Sequence, residues 1–204
     1  MKLSWASRIT VVRILLIVPF VSFMLKINDA AISESMRNIV RYAATIIFFT
    51  MAISDAIDGF FARRKKQVTK LGTFLDPMAD KLLITSACLL LASQHSHVEG
   101  FLLPSTVVVL IIGKDLLLSL GFLIVYFITS RFYIAPALIG KTATALQLSM
   151  VTGILIAPEI SSFAPGWIWF LRLLWWSAAV TAILTTLVYI RNGIRYIEQH
   201  EQNN

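Results

Sequence analysis

Charge is what this sequence has least of. Of its 204 residues only 14% are charged, against about 25% in soluble domains. Hydrophobic residues make up 57%. A soluble domain of this length has too little interior to hide so much apolar surface. Cysteine is nearly absent too. Cys88 stands alone, so no intrachain disulfide can form and the redox compartment stays open; its place in an apolar run suggests packing. No internal repeat with a period of about 20–50 residues is visible. No low-complexity linker divides the chain, which reads as one domain over 1–204. The first apolar run follows Lys2 and Arg8, as a signal peptide would. However, Arg13 interrupts it and no small-residue cleavage pattern follows, so it reads as a retained helix.

What is present is oil in long runs. A spanning helix needs about 20 apolar residues. Six runs qualify: Ile9–Ile27, Ile39–Ile57, Pro77–Gln94, Phe101–Ile128, Gly140–Ala157 and Trp167–Ile190. The expected fold is an all-α integral membrane protein with six transmembrane helices. Basic residues gather at Lys2/Arg8, Arg63–Lys66 with Lys70, Arg131 with Lys141, and Arg191/Arg195. With six spans these clusters share one side. The positive-inside rule makes that side cytoplasmic, with both termini there. Lys26, Arg37 and Arg41 in the first connection are an exception, partly balanced by Asp29 and Glu34. The net charge of +7 therefore points to anionic headgroups, not to nucleic acid. His95, His97 and His200 read as solvated groups and not as metal ligands. The tryptophans Trp167, Trp169, Trp175 and Trp176 suit an aromatic belt and packing.

Acid is concentrated in one stretch, "DAIDGFFARRKKQVTKLGTFLDPMAD", from Asp55 to Asp80. Helix residues three and four apart share a face. Asp55, Asp58 and Ala62 thus form a stripe at the end of the second span. Asp76 and Asp80 share a face at the start of the third, after a basic connection containing Gly72. Antiparallel neighbours would bring the four carboxylates together. Each costs about 2.5–3.5 kcal/mol at membrane depth, and together they repel. Hard divalent cations with oxygen ligands relieve both problems, and Mg²⁺ also takes substrate phosphates. Two such ions can activate a nucleophile and stabilise a leaving phosphate. Gly59 and Ala62 would leave room for a ligand beside the helix. Seen alone they would read as close helix packing. Arg63 offers forked donors to phosphate.

The same stretch resembles the signature of the CDP-alcohol phosphatidyltransferase family, D-x2-D-G-x2-A-R-x8-G-x3-D-x3-D. Every spacing is met, by Asp55, Asp58, Gly59, Ala62, Arg63, Gly72, Asp76 and Asp80. A weaker likeness extends through "ITVVRILLIVPF" and "GKTATALQ". The resemblance implies a six-helix membrane enzyme, a homodimer in a bacterial inner membrane with its active site on the cytoplasmic side. It implies that Asp55, Asp58, Asp76 and Asp80 bind Mg²⁺ or Mn²⁺, as two ions. Asp80 would be the general base. Asp58, Gly59, Ala62, Arg63 and Gly72 would line the nucleotide site of CDP-diacylglycerol, and CMP would leave.

Two acceptors fit that resemblance. "GTFLDPMADKLLI" and Gly140–Lys141 resemble the phosphatidylglycerophosphate synthases, which use glycerol 3-phosphate. "IGKDLLL" and the last apolar run resemble CDP-alcohol-type cardiolipin synthases, which use phosphatidylglycerol. Lys114-Asp115 stands where the former usually carry Arg-Glu, and Phe122 where they commonly carry Arg. Arg13, Lys114, Arg131 and Lys141 are the candidate acceptor contacts. The rival class is an ion or small-anion transporter, since acids and bases inside a membrane can mark an ion path. Transporters often place such sites at the midplane between repeated halves, whereas these acids cluster at one face and no repeat is visible.

Overall fold

The computed structural model describes residues 5–65, 70–129 and 138–202, with the backbone alone described at 5–8, 55–65, 70–77, 126, 128–129, 138, 197 and 199–202. Seven helices and no strand occur among the described residues. They are α1 (Trp5–Lys26), α2 (Glu34–Lys65), α3 (Lys70–Ala92), α4 (Ser105–Thr129), α5 (Leu138–Leu155), α6 (Ala157–Phe163) and α7 (Trp167–Gln202). In lipid no water satisfies backbone N–H and C=O groups, and a helix satisfies them internally. Four described helices are long and apolar enough to cross a membrane, or five if the bent pair α5 and α6 is one span. The chain is an all-helical integral membrane protein.

Each expected run has its helix, but several ends move. α2 continues to Lys65, well beyond the expected Ile57. α3 starts at Lys70 and not at Pro77, so Gly72 lies in a helix and not in a connection. Hydropathy marks only where a helix is in oil, while the hydrogen-bonded ladder runs on into the headgroup zone. α4 starts at Ser105 because Pro104 precedes it: its carbonyl accepts from Val107 N–H at 3.0 Å, but it has no N–H of its own to extend the ladder backwards. The fifth run breaks. α5 ends at Leu155 and α6 leaves it at 71°. Pro158 sits in the first turn of α6, where its ring is tolerated; in a continuous helix it would remove a bond and clash with residue 154.

The chain divides into two compact units. The first comprises Met1–Leu103 and Val151–Ile168. In it α1 packs against both α2 and α3. Phe20 of α1 and Phe48 of α2, both fully buried, meet at 5.8 Å between ring centroids. Just past the ends of α1 and α3, Asn28 Nδ2 donates to the His97 carbonyl at 3.0 Å. His97 Nδ1 also lies 3.2 Å and 3.0 Å from the carbonyls of Ser93 and Gln94. His97 is thus half-buried in a tied loop, where the sequence predicts a solvated group. Trp167 Nε1 donates to the Gly153 carbonyl at 3.2 Å, fastening the start of α7 to α5. Cys88 is buried, as expected for packing.

The second unit comprises Pro104–Met150 and Trp169–Asn204. A Cβ on Gly140 would stand 3.8 Å from Tyr189 Oη, and one on Gly193 would stand 3.8 Å from Val125 Cγ2. Both are ordinary van der Waals distances, so neither position requires a glycine. α4 runs without interruption through Gly121.

Arg41 departs most from expectation. It lies in α2, not in the connection, and it is buried. Its guanidinium grips both carboxylate oxygens of Glu159 on α6, one at 2.9 Å, and donates to the Leu155 carbonyl at 3.2 Å. It also stacks 4.8 Å from the Tyr42 ring centroid. The excess positive charge of that connection is therefore partly neutralised from the far end of the sequence. Glu159→Gln should leave Arg41 without its counterion. A loss of about 1.5–3 kcal/mol is expected for a charged hydrogen-bonded pair, towards the lower end because Glu159 is partly exposed. Thermal unfolding in detergent checks this; an unchanged melting temperature would show that the pair contributes nothing.

Candidate active site

The motif's aspartates sit on two successive helices. Asp55 and Asp58 occupy the last three turns of α2, with Gly59, Ala62 and Arg63; Gly72 and Asp76 occupy the first turns of α3. The side chains of all seven lie outside the described residues. Four residues, 66–69, separate the helices. Both helices pack on α1, and a connection that short favours an antiparallel pair.

Asp80 is described. It lies one turn past Asp76 on α3, next to the fully buried Ala79. Arg13 Nη1 of α1 donates to its Oδ1 at 3.1 Å. The arginine side chain is 2% exposed and the aspartate 34%. A guanidinium so deep in apolar surroundings needs an anion, and Asp80 is one. In return one carboxylate oxygen of Asp80 is held in a fixed direction. Thr10, also buried, lies one turn before Arg13 on the same face.

Two contacts set the register of α1 against α3. Arg13 meets Asp80 and Asn28 meets His97, so the two helices run parallel. The α1–α2 contact at Phe20 and Phe48 extends this reasoning. Two turns back along α1 from Phe20 is Arg13. Two turns forward along the antiparallel α2 from Phe48 is position 55. Backbone register therefore puts position 55 at the level of Arg13 and Asp80.

The other candidate acceptor contacts lie on elements of the second unit or outside the described residues. Lys114 and Asp115 lie near the middle of α4, in the second unit. Lys114 is 6% exposed, and its Nζ is 3.3 Å from Asp115 Oδ1. Lys141 is exposed in the first turn of α5. Arg131 lies outside the described residues. Among the described residues no three Asp, Glu, His or Cys side chains gather as a metal site; three of the four aspartates proposed for that role are outside them.

Sequence reasoning singles out Arg13 and Asp80 but does not pair them. The available signal is that each lone charge in an apolar run needs an opposite one. Arg41 and Glu159 carry the same signal, and the sequence reading misses them as a pair.

An all-helical membrane protein with an aspartate motif across two adjoining helix ends is the class these features define. Residues 3–188 match the family model described as CDP-alcohol phosphatidyltransferase. The chain belongs to that family. It is similar to proteins named CDP-diacylglycerol–glycerol-3-phosphate 3-phosphatidyltransferase. The protein of that name from Yersinia enterocolitica is 38% identical over 58% of this chain and 65% of its own length. The one from Escherichia coli K12 is 32% identical over 73% of this chain and 77% of its own. The one from Haemophilus influenzae is 30% identical over 76% of this chain and 77% of its own.

A double-mutant cycle measures the Arg13–Asp80 link. Arg13→Gln, Asp80→Asn and the double variant should show a coupling of about 1.5–3 kcal/mol in unfolding free energy, as for hydrogen bonds to charged groups. Strict additivity would show that the two side chains act independently.

Proposed function

We propose that this protein transfers the phosphatidyl group of CDP-diacylglycerol to glycerol 3-phosphate and releases CMP. The observation that carries the reading is Asp80, the last aspartate of a fully matched motif, paired with buried Arg13. The names of relatives at 30–38% identity support this choice of acceptor. The protein would work as a homodimer in a bacterial inner membrane, with termini and active site on the cytoplasmic side.

In the proposed reaction the acceptor hydroxyl oxygen bonds to the lipid-bearing phosphorus. The bond from that phosphorus to the bridging oxygen breaks, and CMP leaves with the electron pair. The hydroxyl proton goes to Asp80. Arg13 holds Oδ1 of Asp80 and so would orient its carboxylate. Asp58, Gly59, Ala62, Arg63 and Gly72 would hold the nucleotide. Asp55, Asp58, Asp76 and Asp80 offer only hard carboxylate oxygens, a donor set suited to Mg²⁺ or Mn²⁺. Two such ions, when bound, would neutralise the pyrophosphate charge. Lys114, Arg131 and Lys141 are the cations available for the acceptor phosphate.

Purified protein supplied with CDP-diacylglycerol and, separately, glycerol 3-phosphate or phosphatidylglycerol should form phosphatidylglycerophosphate from the first. Cardiolipin as product would favour the other acceptor. CMP release undiminished in excess chelator would remove the metal proposal. Asp80→Asn should reduce turnover by about 10²–10⁴-fold while nucleotide binding persists; near-normal turnover would discard Asp80 as base. Lys114→Ala should raise the acceptor KM roughly tenfold to a hundredfold, the scale of a charge-assisted bond, and leave the CDP-diacylglycerol KM nearly unchanged. Equal KM values for both substrates would assign Lys114 to structure alone.

A further inference from the structure

Arg13, Arg41 and Lys114, three cations within apolar helical stretches, each have a carboxylate partner inside the protein. A fourth, Arg172 on α7, has none among the described residues. Among the described residues it forms no ion pair, and the only carboxylates on its helix are Glu198 and Glu201, far towards the other end. Its guanidinium stacks 4.7 Å from the ring centroid of Trp169. Arg172 is exposed. It lies on the outward stripe of α7 that continues through Trp169, Leu173, Trp176, Val180 and Leu187, all exposed. Trp169 is 68% exposed and Leu173 also 68%. These positions repeat at three and four residues, so they form one helix face. In a bilayer that face is open to lipid, and Arg172 stands in it.

The depth of Arg172 is set by helix geometry. From Arg172 to Arg191 is 19 residues, about 28 Å at the helical rise. The hydrocarbon core is about 30 Å thick. The two arginines therefore bracket one hydrocarbon layer, with each at the level of the phosphates. Tryptophan is enriched at that same level.

We propose that Arg172 and Trp169 form a docking site for the phosphate of an anionic phospholipid in the leaflet at the start of α7. The indole covers one flat face of the guanidinium. The in-plane N–H donors remain available, in the fork that matches a phosphate. Cation–π stacking on tryptophan is strongest where water is excluded, which a lipid seated on this face would ensure. The occupant is a net anionic lipid, because an unneutralised cation has no need of the ammonium that a zwitterionic headgroup brings with its phosphate. This site is separate from the aspartate motif, and its reading does not depend on the transfer reaction.

The test uses the full-length protein in bilayers of phosphatidylcholine doped with phosphatidylserine, a lipid that is neither proposed substrate nor product. Lipids retained on extraction are counted by native mass spectrometry. Wild type should retain phosphatidylserine over phosphatidylcholine, and Arg172→Gln should weaken that preference about fivefold, the scale of one basic residue near an anionic surface. Arg172→Lys should keep most of it. CMP release measured in pure phosphatidylcholine should be the same for all three. If Arg172→Gln does not fold, Trp169→Leu serves, with a smaller but measurable loss of preference expected. Equal phosphatidylserine retention by wild type and Arg172→Gln, or by wild type and Trp169→Leu where that variant serves, overturns the proposal. So does a loss of retention that occurs only together with dissociation into monomers, which would make a second copy of the chain the occupant.

Discussion

A charge in oil must find its opposite, and the first unit is organised around that constraint. Arg13 is almost wholly buried on a helix otherwise surrounded by apolar side chains. An unpaired cation at membrane depth costs several kcal/mol. The pairing with Asp80 offsets that cost, and it joins residues 67 positions apart on two helices. A second pair, Arg41 with Glu159, spans 118 positions and joins α2 to the short helix α6. Apolar packing between membrane helices gains little from the hydrophobic effect, because lipid is as apolar as leucine. Directional contacts of this kind therefore carry more of the specificity of helix pairing than they would in water.

These contacts also make α1 the reference rod of the first unit. It touches α2 and α3, and its two ends are held differently. At one end the contact is ionic, Arg13 to Asp80; at the other it is a neutral tie from Asn28 to the His97 carbonyl. A parallel pair fixed at both ends cannot slide by a turn without losing both bonds. Since α2 is packed on the same rod through Phe20 and Phe48, both aspartate-bearing helices take their register from α1, in part through Asp80 itself.

Much of this is legible in the sequence, and the failures have physical causes. The six apolar runs each form helix, because a bilayer permits little else. Their ends are misplaced because hydropathy reports the solvent around a helix and not its hydrogen bonds. The break at Pro158 is legible in principle, yet an apolar count does not register a missing donor. Of the motif, the residue types and spacings are all readable, and the family match over residues 3–188 agrees with them. What no single sequence displays is which distant charge answers which. Proximity along the chain assigns Arg41 to nearby Asp29 and Glu34, whereas the fold answers it with Glu159.

The extension of α2 and α3 beyond the oil explains how such chemistry can be held at a membrane face. The apolar run of α2 gives way to the motif at Asp55. Had the chain become a loop there, the motif's carboxylates would have been free to move apart, as their mutual repulsion favours. Instead α2 stays helical to Lys65, and α3 is already helical at Lys70. Rigid helices hold polar groups in relative position better than loops do. Asp55 and Asp58 keep their three-residue spacing as a fixed distance on one face, and so do Asp76 and Asp80 with four. The bilayer supplies the constraint that fixes the lower parts of these helices, through Arg13 and the packing around it. The helical ladder then carries that order outward along α2 and α3, into the part of each helix that bears the motif.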